Sequence, residues 1–506
     1  LRQPVIRLLI ADDVGIGKTI EAGLIVRELL DRGEISRAAF LCPPHLVEQW
    51  QSELKLRFNI NALALTANNV ARIERTLPAG VSLFEQYPFV VVSLDYIKTE
   101  KHREHFLAIA PECIVVDEAH TCTSAGSGSK QLRFELLKRL VEDVSLSRHL
   151  IMLTATPHSG KDPAFYNLLS LLDPEFVQLS EVAPDSRSEL RNRLASCFVQ
   201  RRRKDIEEWQ DTSMFPRRMT TEISYRLTGP WGDFFNKVHD YCIDLANSIE
   251  SSGEKAGSMI WYATLALLRC VLSSPAAAAR ALNTRLEGIT PEEIAEEEDR
   301  LYDGDEEALS LNDLEPAAQT GDAARLRELI EEAQQLAGIK GDPKLAVLYS
   351  HLESLVKEGF RPVVFCRFIA TARYVAEELQ KLFGDRATVD AVTGEYTPEE
   401  RKERVEKLGE EENPVLVATD CLSEGINLQH IFNAMVHYDL AWNPTRHEQR
   451  EGRVDRFGQK AKEVRCAMIY GQDNPVDGFI LDVILKKAES IKRELGILVP
   501  MPQDQQ

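Results

Sequence analysis

Apolar runs of five or six residues recur along this chain, each beside a stretch of helical spacing, and that alternation is the tightest constraint on its fold. "RAAFLC" (37–42), "FVVVS" (89–93), "CIVVD" (113–117) and "LIMLT" (150–154) are examples, preceded by Val5 to Ala11. A run that is apolar at every position, not every second one, is a strand buried on both faces. The architecture expected is therefore a parallel sheet with helices on both sides. The pattern returns after residue 340, where "KLAVLYSHLESLVKEG" (344–359) precedes "PVVFC" (362–366), "VLVAT" (415–419) and "AMVHY" (434–438). Residues 200–339 lack a comparable strand series; "WYATLALLRCVLSSPAAAARAL" (261–282) reads as helical, interrupted near Pro275. No repeat of 20–50 residues is present. The fold class expected is α/β, with a first lobe over 1–199, a helical insertion with an acidic segment over 200–339, a second lobe over 340–495 and a tail over 496–506.

Charge bears on partners. The net charge of −20 argues at first against nucleic acid, but residues 286–335 hold 17 acidic residues against 3 arginines, leaving about −6 for the rest. Basic clusters remain at Arg201, Arg202, Arg203 and Lys204 and at Arg217 and Arg218, so acidity does not exclude DNA. Few apolar residues lie in "LYDGDEEALSLNDLEPAAQTGD" (301–322), which reads as loop or partly disordered, and the acidic segment 286–335 as a whole reads as a solvated linker or a DNA-mimicking cover. Nine scattered cysteines form no C-x-x-C pair and no zinc-spaced cluster, which predicts a reduced cytoplasmic protein without structural zinc. With 44% apolar residues and no apolar run near spanning length, no membrane partner is expected. Residue 1 is Leu, so the chain is expected to continue upstream.

Chemistry concentrates at the ends of the apolar runs. "LLIADDVGIGKTIEAGL" (8–24) is a strand, a Gly-containing turn and a helix whose apolar residues Ile20, Leu24, Ile25, Leu29 and Leu30 recur at helical spacing before Gly33. That order points backbone N–H groups at an anion. Gly15 and Gly17 admit close approach to phosphate oxygens, Lys18 reaches the β- and γ-phosphates, and Thr19 places a hydroxyl on Mg²⁺. Asp13, Val14 and Ile16 complete the loop. Its one departure from G-x-x-x-x-G-K-S/T is Asp12, where the first Gly should stand.

In "IVVDEAHT" (114–121) Asp117 is placed to hold Mg²⁺ and Glu118 to take a proton from the attacking water. "LTATPHSG" (153–160) supplies a polar turn at Thr154, Thr156 and Pro157 that can couple hydrolysis to another bound group, with His158 a loop residue. In "HEQREGRVDRFGQ" (447–459) Arg450, Arg453 and Arg456 fall three apart. The spacing describes either a solvated basic face or a source of γ-phosphate neutralisation, for which Arg453 and Arg456 are the first choices.

Together, "ADDVGIGKTIEAGL", "LCPPHLVEQW", "VVDEAH", "LTATP", "VVFCRF", "VLVATDCLSEGINLQ" and "WNPTRHEQREGRVDRFGQ" resemble the motif series of Swi/Snf-type superfamily-two helicases. That family's loop carries an acidic pair where Asp12 and Asp13 stand. The resemblance implies two RecA-like lobes that clamp ATP with Mg²⁺ and step along double-stranded DNA, usually without strand separation. By motif it places Gly425 and Asn427 at the nucleotide, and Pro43, Pro44, His45, Ser93 with Leu94, Thr393, Gly394 and Ser423 to Asn427 by DNA. Phosphate contacts of that kind position a protein without reading sequence. "TATPHSGKDPAFYNLLSLLDPEFV", "FVQRRRKDIEEW" and "WYATLALLRCVLSSPAAAA" look further like the helicase component of DISARM anti-phage systems, which implies defence-system proteins as partners. The alternatives are an ATPase that recycles RNA polymerase, an ATP-gated clamp that does not hydrolyse, and an RNA helicase.

Overall fold

The computed structural model describes residues 3–473 apart from 68, 79–80, 98–99, 124–128, 143–147, 156, 158–161, 181–187, 202–215, 250–265, 288–322, 423–425, 427, 442–443 and 457. The described residues fall into two compact units, one ending at Arg201 and the other beginning at Pro216.

The first unit is built on seven parallel strands: β1 (Arg7–Ile10), β2 (Ala38–Cys42), β3 (Leu63–Leu65), β4 (Phe89–Ser93), β5 (Cys113–Val116), β6 (His149–Leu153) and β7 (Phe198–Val199). Their order is β3-β4-β2-β5-β6-β1-β7. Successive residues of each apolar run serve opposite faces. Leu41, Val92, Val116 and Met152 enter one core, while Phe40, Val91, Val115 and Ile151 enter the other. The second core is closed by α1 (Lys18–Asp31) and α2 (Val47–Phe58). Helix α1 buries Ala22, Gly23, Ile25, Val26 and Leu29; Leu24, periodic in sequence, is 57% exposed. Gly23 allows the two helices to close, since a Cβ there would lie 2.3 Å from the Phe58 ring. The helix ends where expected, with Gly33 in the left-handed region at φ +68°.

The second unit holds six parallel strands, β8 (Arg217–Tyr225), β9 (Pro362–Phe365), β10 (Thr388–Val392), β11 (Pro414–Ala418), β12 (Ala434–His437) and β13 (Glu463–Gly471), in the order β10-β11-β9-β12-β13-β8. Helices α6 (Pro343–Lys357) and α7 (Ile369–Phe383) cover one face, and α8 (Pro398–Gly409) joins the core of the other. A separate helical cluster combines α3 (Pro230–Ile249), residues 266–273, α4 (Pro275–Glu287) and α5 (Ala323–Gln335) around Trp231, Phe234, Leu282 and Leu329. The break expected near Pro275 is present, at Ser274.

Two expectations change. Strand β8 lies inside the stretch read as helical insertion, yet it pairs with β13 from Arg217↔Glu463 to Tyr225↔Gly471. It is an edge strand, largely exposed, so its sequence "RRMTTEISY" lacks the unbroken apolar run that marks a central strand. The end of the acidic segment is helix α5, which turns Leu326, Leu329 and Ala333 inward at helical spacing. Residues 301–322 lie outside the described residues. All nine cysteines are buried free thiols, and among the described residues no helix is long and apolar enough to cross a membrane.

Candidate functional site

The glycine turn sits between β1 and α1 at the carboxyl edge of the first sheet. Gly15 and Gly17 adopt φ +84° and +117°, values that L side chains resist, and the turn closes in the way the sequence requires. Gly17 is the N-cap of α1, and no side chain caps that end. Lys18 opens the helix, and its ammonium donates to the main-chain carbonyls of Asp12 (2.6 Å) and Asp13 (3.2 Å). Burial lowers the Lys18 pKa, opposed by the nearby carboxylates of Glu118, Asp117, Asp12 and Asp13. Those causes place both ends of the chemistry, Lys18 and the acidic pair, within electrostatic reach of each other. Thr19 lies in the first turn, half-buried, as do Asp13, Val14 and Ile16 in the loop.

Asp12 has a role the sequence did not announce. Its side chain is fully buried; Oδ1 accepts the Arg201 backbone N–H (2.8 Å), and Oδ2 accepts Arg201 Nε (3.0 Å) and Nη2 (2.5 Å). The Asp13 N–H donates to the Arg201 carbonyl at 3.1 Å. Arg201 also bonds Glu21 in the first turn of α1.

The acidic pair follows β5. Asp117 is anchored by its N–H to the Leu41 carbonyl (2.8 Å) and by Oδ2 accepting Trp50 Nε1 (2.8 Å). Its pKa is pushed up to about 6, first by burial and then by Glu118, while the Trp50 bond and Lys18 oppose the rise. Trp50 reaches it from α2, with its ring 5.3 Å from Phe40 in the core beneath. Glu118 has φ +50° and ψ +47°, left-handed backbone rare for a residue with a side chain. Its Oε2 lies 3.2 Å from His120 Nδ1, and the same nitrogen is 3.0 Å from Thr154 Oγ1. The polar turn after β6 thus meets the acidic pair through His120, a residue the motif reading left without a role. Pro157 is buried; Thr156 and His158 lie outside the described residues.

These residues fit a nucleoside triphosphate with Mg²⁺. The helix terminus and glycine turn suit phosphate, Lys18 is held by carbonyls and not by a carboxylate, and a hydroxyl at Thr19 and a carboxylate at Asp117 are the oxygen donors such an ion takes.

In the second unit Arg450 and Arg453 lie on α9 (Pro444–Val454), and Arg456 lies on the bend after it, so the three do not share one helical face. Arg450 is buried and committed: Nε and Nη2 bond the two oxygens of Asp420 (2.5 and 2.7 Å), and Nη1 bonds the Asp439 carbonyl (3.0 Å). Burial opposes ionisation of Asp420, and Arg450 outweighs it, so that carboxyl sits below its ordinary value. Arg453 and Arg456 are half-buried. The helix is braced to β8 and β12. Ala441 N–H donates to His447 Nε2 (3.1 Å), His447 Nδ1 meets His437 Nδ1 (3.3 Å), and His437 Nε2 meets Glu451 (3.2 Å), which also pairs with Arg218. Burial first, then His447 and the arginines Arg450 and Arg218, keep His437 neutral, its pKa well below the ordinary value.

Of the residues assigned to DNA, Pro43, Pro44 and His45 form the turn between β2 and α2, with Pro44 exposed. Ser93 is buried, its hydroxyl accepting the Asp95 N–H (3.3 Å), and Leu94 is buried beside it. Thr393 is buried with its hydroxyl on Glu395 (3.3 Å), and the Gly394 carbonyl accepts Arg401 (2.9 Å). Ser423, Gly425 and Asn427 lie outside the described residues.

Residues 2–271 match the SNF2-related domain, and residues 343–458 match the helicase conserved C-terminal domain. The chain is similar to the uncharacterized ATP-dependent helicase YqhH of Bacillus subtilis, 27% identical over 97% of this chain and 77% of that protein. It is also similar to the RNA polymerase-associated protein RapA of Yersinia pestis, 26% identical over 92% of this chain, and spans 46% of that relative's length. Among solved structures, the Pyrococcus furiosus Hef helicase domain shares the fold, with a TM-score of 0.50 and 14% identity over 95% of each chain.

Proposed function

This chain belongs to the SNF2-related family, and from that membership we propose that it hydrolyses ATP to move along double-stranded DNA without separating the strands. The observation that carries the reading is the left-handed Glu118 beside the buried Asp117, within electrostatic reach of Lys18 at the mouth of the glycine turn.

Each residue then has a step. Lys18 turns from the Asp12 and Asp13 carbonyls to the β- and γ-phosphate oxygens, and the N–H groups of the turn take the remaining phosphate charge. Thr19 and Asp117 would hold Mg²⁺, which would supply charge neutralisation on the phosphate oxygens. Glu118 accepts a proton from water as the water oxygen bonds the γ-phosphorus and the bond to the β-phosphate oxygen breaks, leaving ADP and phosphate. His120 reports that protonation to Thr154. Arg453 and Arg456 are the proposed source of γ-phosphate neutralisation from the second lobe, and Gly425 and Asn427 its nucleotide contacts. The DNA contacts proposed are the Pro43–His45 turn and Ser93 in the first unit, and Thr393, Gly394 and Ser423 in the second.

Two settings are consistent with such a motor. The stretches 154–177, 198–209 and 261–279 support a role in anti-phage defence alongside other defence proteins. The RapA similarity favours the second reading, an ATPase that acts with RNA polymerase. Co-purification with core RNA polymerase, set against phage plating on cells with and without the gene, separates them. The activity itself is tested by ATP hydrolysis with Lys18→Ala and Glu118→Gln beside the wild type; normal turnover in either variant contradicts the site.

A further inference from the structure

The phosphate loop is held by a residue from the far end of its own unit. Between Asp12 and Glu21 the loop contains two glycines at positive φ, which carry no side chain to fix its shape. Its geometry must therefore be set at its ends. Arg201, the residue beyond β7 and 189 positions along the chain, grips both ends: Asp12 through three hydrogen bonds, the Asp13 N–H through its carbonyl, and Glu21 through its guanidinium. The carbonyls of Asp12 and Asp13 are the same two that orient Lys18. A glycine at position 12, as the general loop pattern has it, offers no carboxylate for this grip.

We propose that Arg201 is a positioning residue for the phosphate loop, clamping Asp12 and Glu21 so that the loop N–H groups and Lys18 are set for a nucleoside triphosphate. The proposal rests on the ATP reading of the site and deepens it. It also assigns a purpose to the acidic residue that breaks the general loop pattern. A guanidinium suits the task because its planar fork meets two oxygens at fixed angles, whereas an ammonium delivers the same charge as a point.

The test is equilibrium binding of a fluorescent ATP analogue, without nucleic acid, to the wild type, Lys18→Ala, Arg201→Lys and Asp12→Asn, with the melting temperature of each recorded. Arg201→Lys and Asp12→Asn are expected to weaken binding on the order of tenfold at temperatures where both are fully folded. A folded variant of either kind with wild-type affinity overturns the proposal, since a merely structural bolt changes melting and not affinity. Should the single variants fail to fold, the double variant Arg201→Gln with Asp12→Asn removes both charges together. Weak binding by that folded double variant supports the clamp, and wild-type binding overturns it. Equal binding by wild type and Lys18→Ala overturns the ATP reading itself and the clamp with it.

Discussion

Glu118 is the residue where backbone and chemistry disagree about what should stand there. Glu118 has left-handed backbone, which at a non-glycine residue costs on the order of 1 kcal/mol. Glu118→Gly is therefore expected to stabilise the fold by up to about 1 kcal/mol in chemical denaturation while abolishing hydrolysis. Glu118→Gln, which keeps the shape, should bind ATP normally and lose about 10²–10⁴-fold in turnover, as removal of a general base does. Asp117 gives a pH dependence. Its folded pKa, about 6 against an ordinary 3.8, means the carboxyl keeps its proton to higher pH than usual. Since holding Mg²⁺ requires the ionised form, turnover should fall as pH drops through about 6, and more Mg²⁺ should move that limb lower because metal and proton compete. Trp50 donates to the ionised form, so Trp50→Phe should move the limb to higher pH; rate–pH profiles at two Mg²⁺ concentrations check both shifts. Lys18, Asp117 and Glu118 were legible as motif letters, because each acts beside its neighbours in sequence. Trp50 and Arg201 were not: their partners lie 67 and 189 positions away, and Arg201 reads in sequence only as part of a basic cluster.

At the scale of elements, α9 shows how one helix gives two similar arginines different work. Arg450 is an internal brace, bidentate on buried Asp420. Arg450→Ala leaves that carboxylate buried without its partner and should cost roughly 3–5 kcal/mol in denaturant unfolding. Arg453→Ala should leave stability within about 1 kcal/mol of wild type and lower ATP turnover by about 10³-fold. Loss of stability without loss of turnover in Arg453→Ala would reverse the assignment. Spacing alone could not separate these arginines, because an interval of three residues says that side chains are near one another and not which carboxylate waits beneath. Strand β8 escaped the sequence reading for a related reason. Central strands announce themselves by unbroken apolar runs such as "VLVA" in β11, whereas "RRMTTEISY" is an exposed edge whose place is fixed by nine register pairs with β13. Arg218 on that edge bonds Glu451 of α9, so the missed strand is also a support of the arginine helix.

On the scale of the whole molecule, the sequence reading was strongest where chemistry and fold share a cause. A parallel strand places its ligand-binding turn at its carboxyl end, so the apolar runs located both the sheets and the residues after them. The net charge of −20 hides this local order, because the acidic stretch dominates the sum. If the motor runs on duplex DNA through backbone phosphates, its affinity should fall steeply as salt rises, by a log–log slope of about −0.9 per phosphate contact. The measurement that reaches the central claim most directly is the rate of ATP hydrolysis at low salt, first alone and then with duplex DNA, single-stranded DNA or RNA. A motor on duplex DNA is stimulated by duplex DNA above the other two, and that stimulation is lost in Glu118→Gln and weakened by added salt. Hydrolysis that no nucleic acid changes, or that RNA stimulates most, would contradict it.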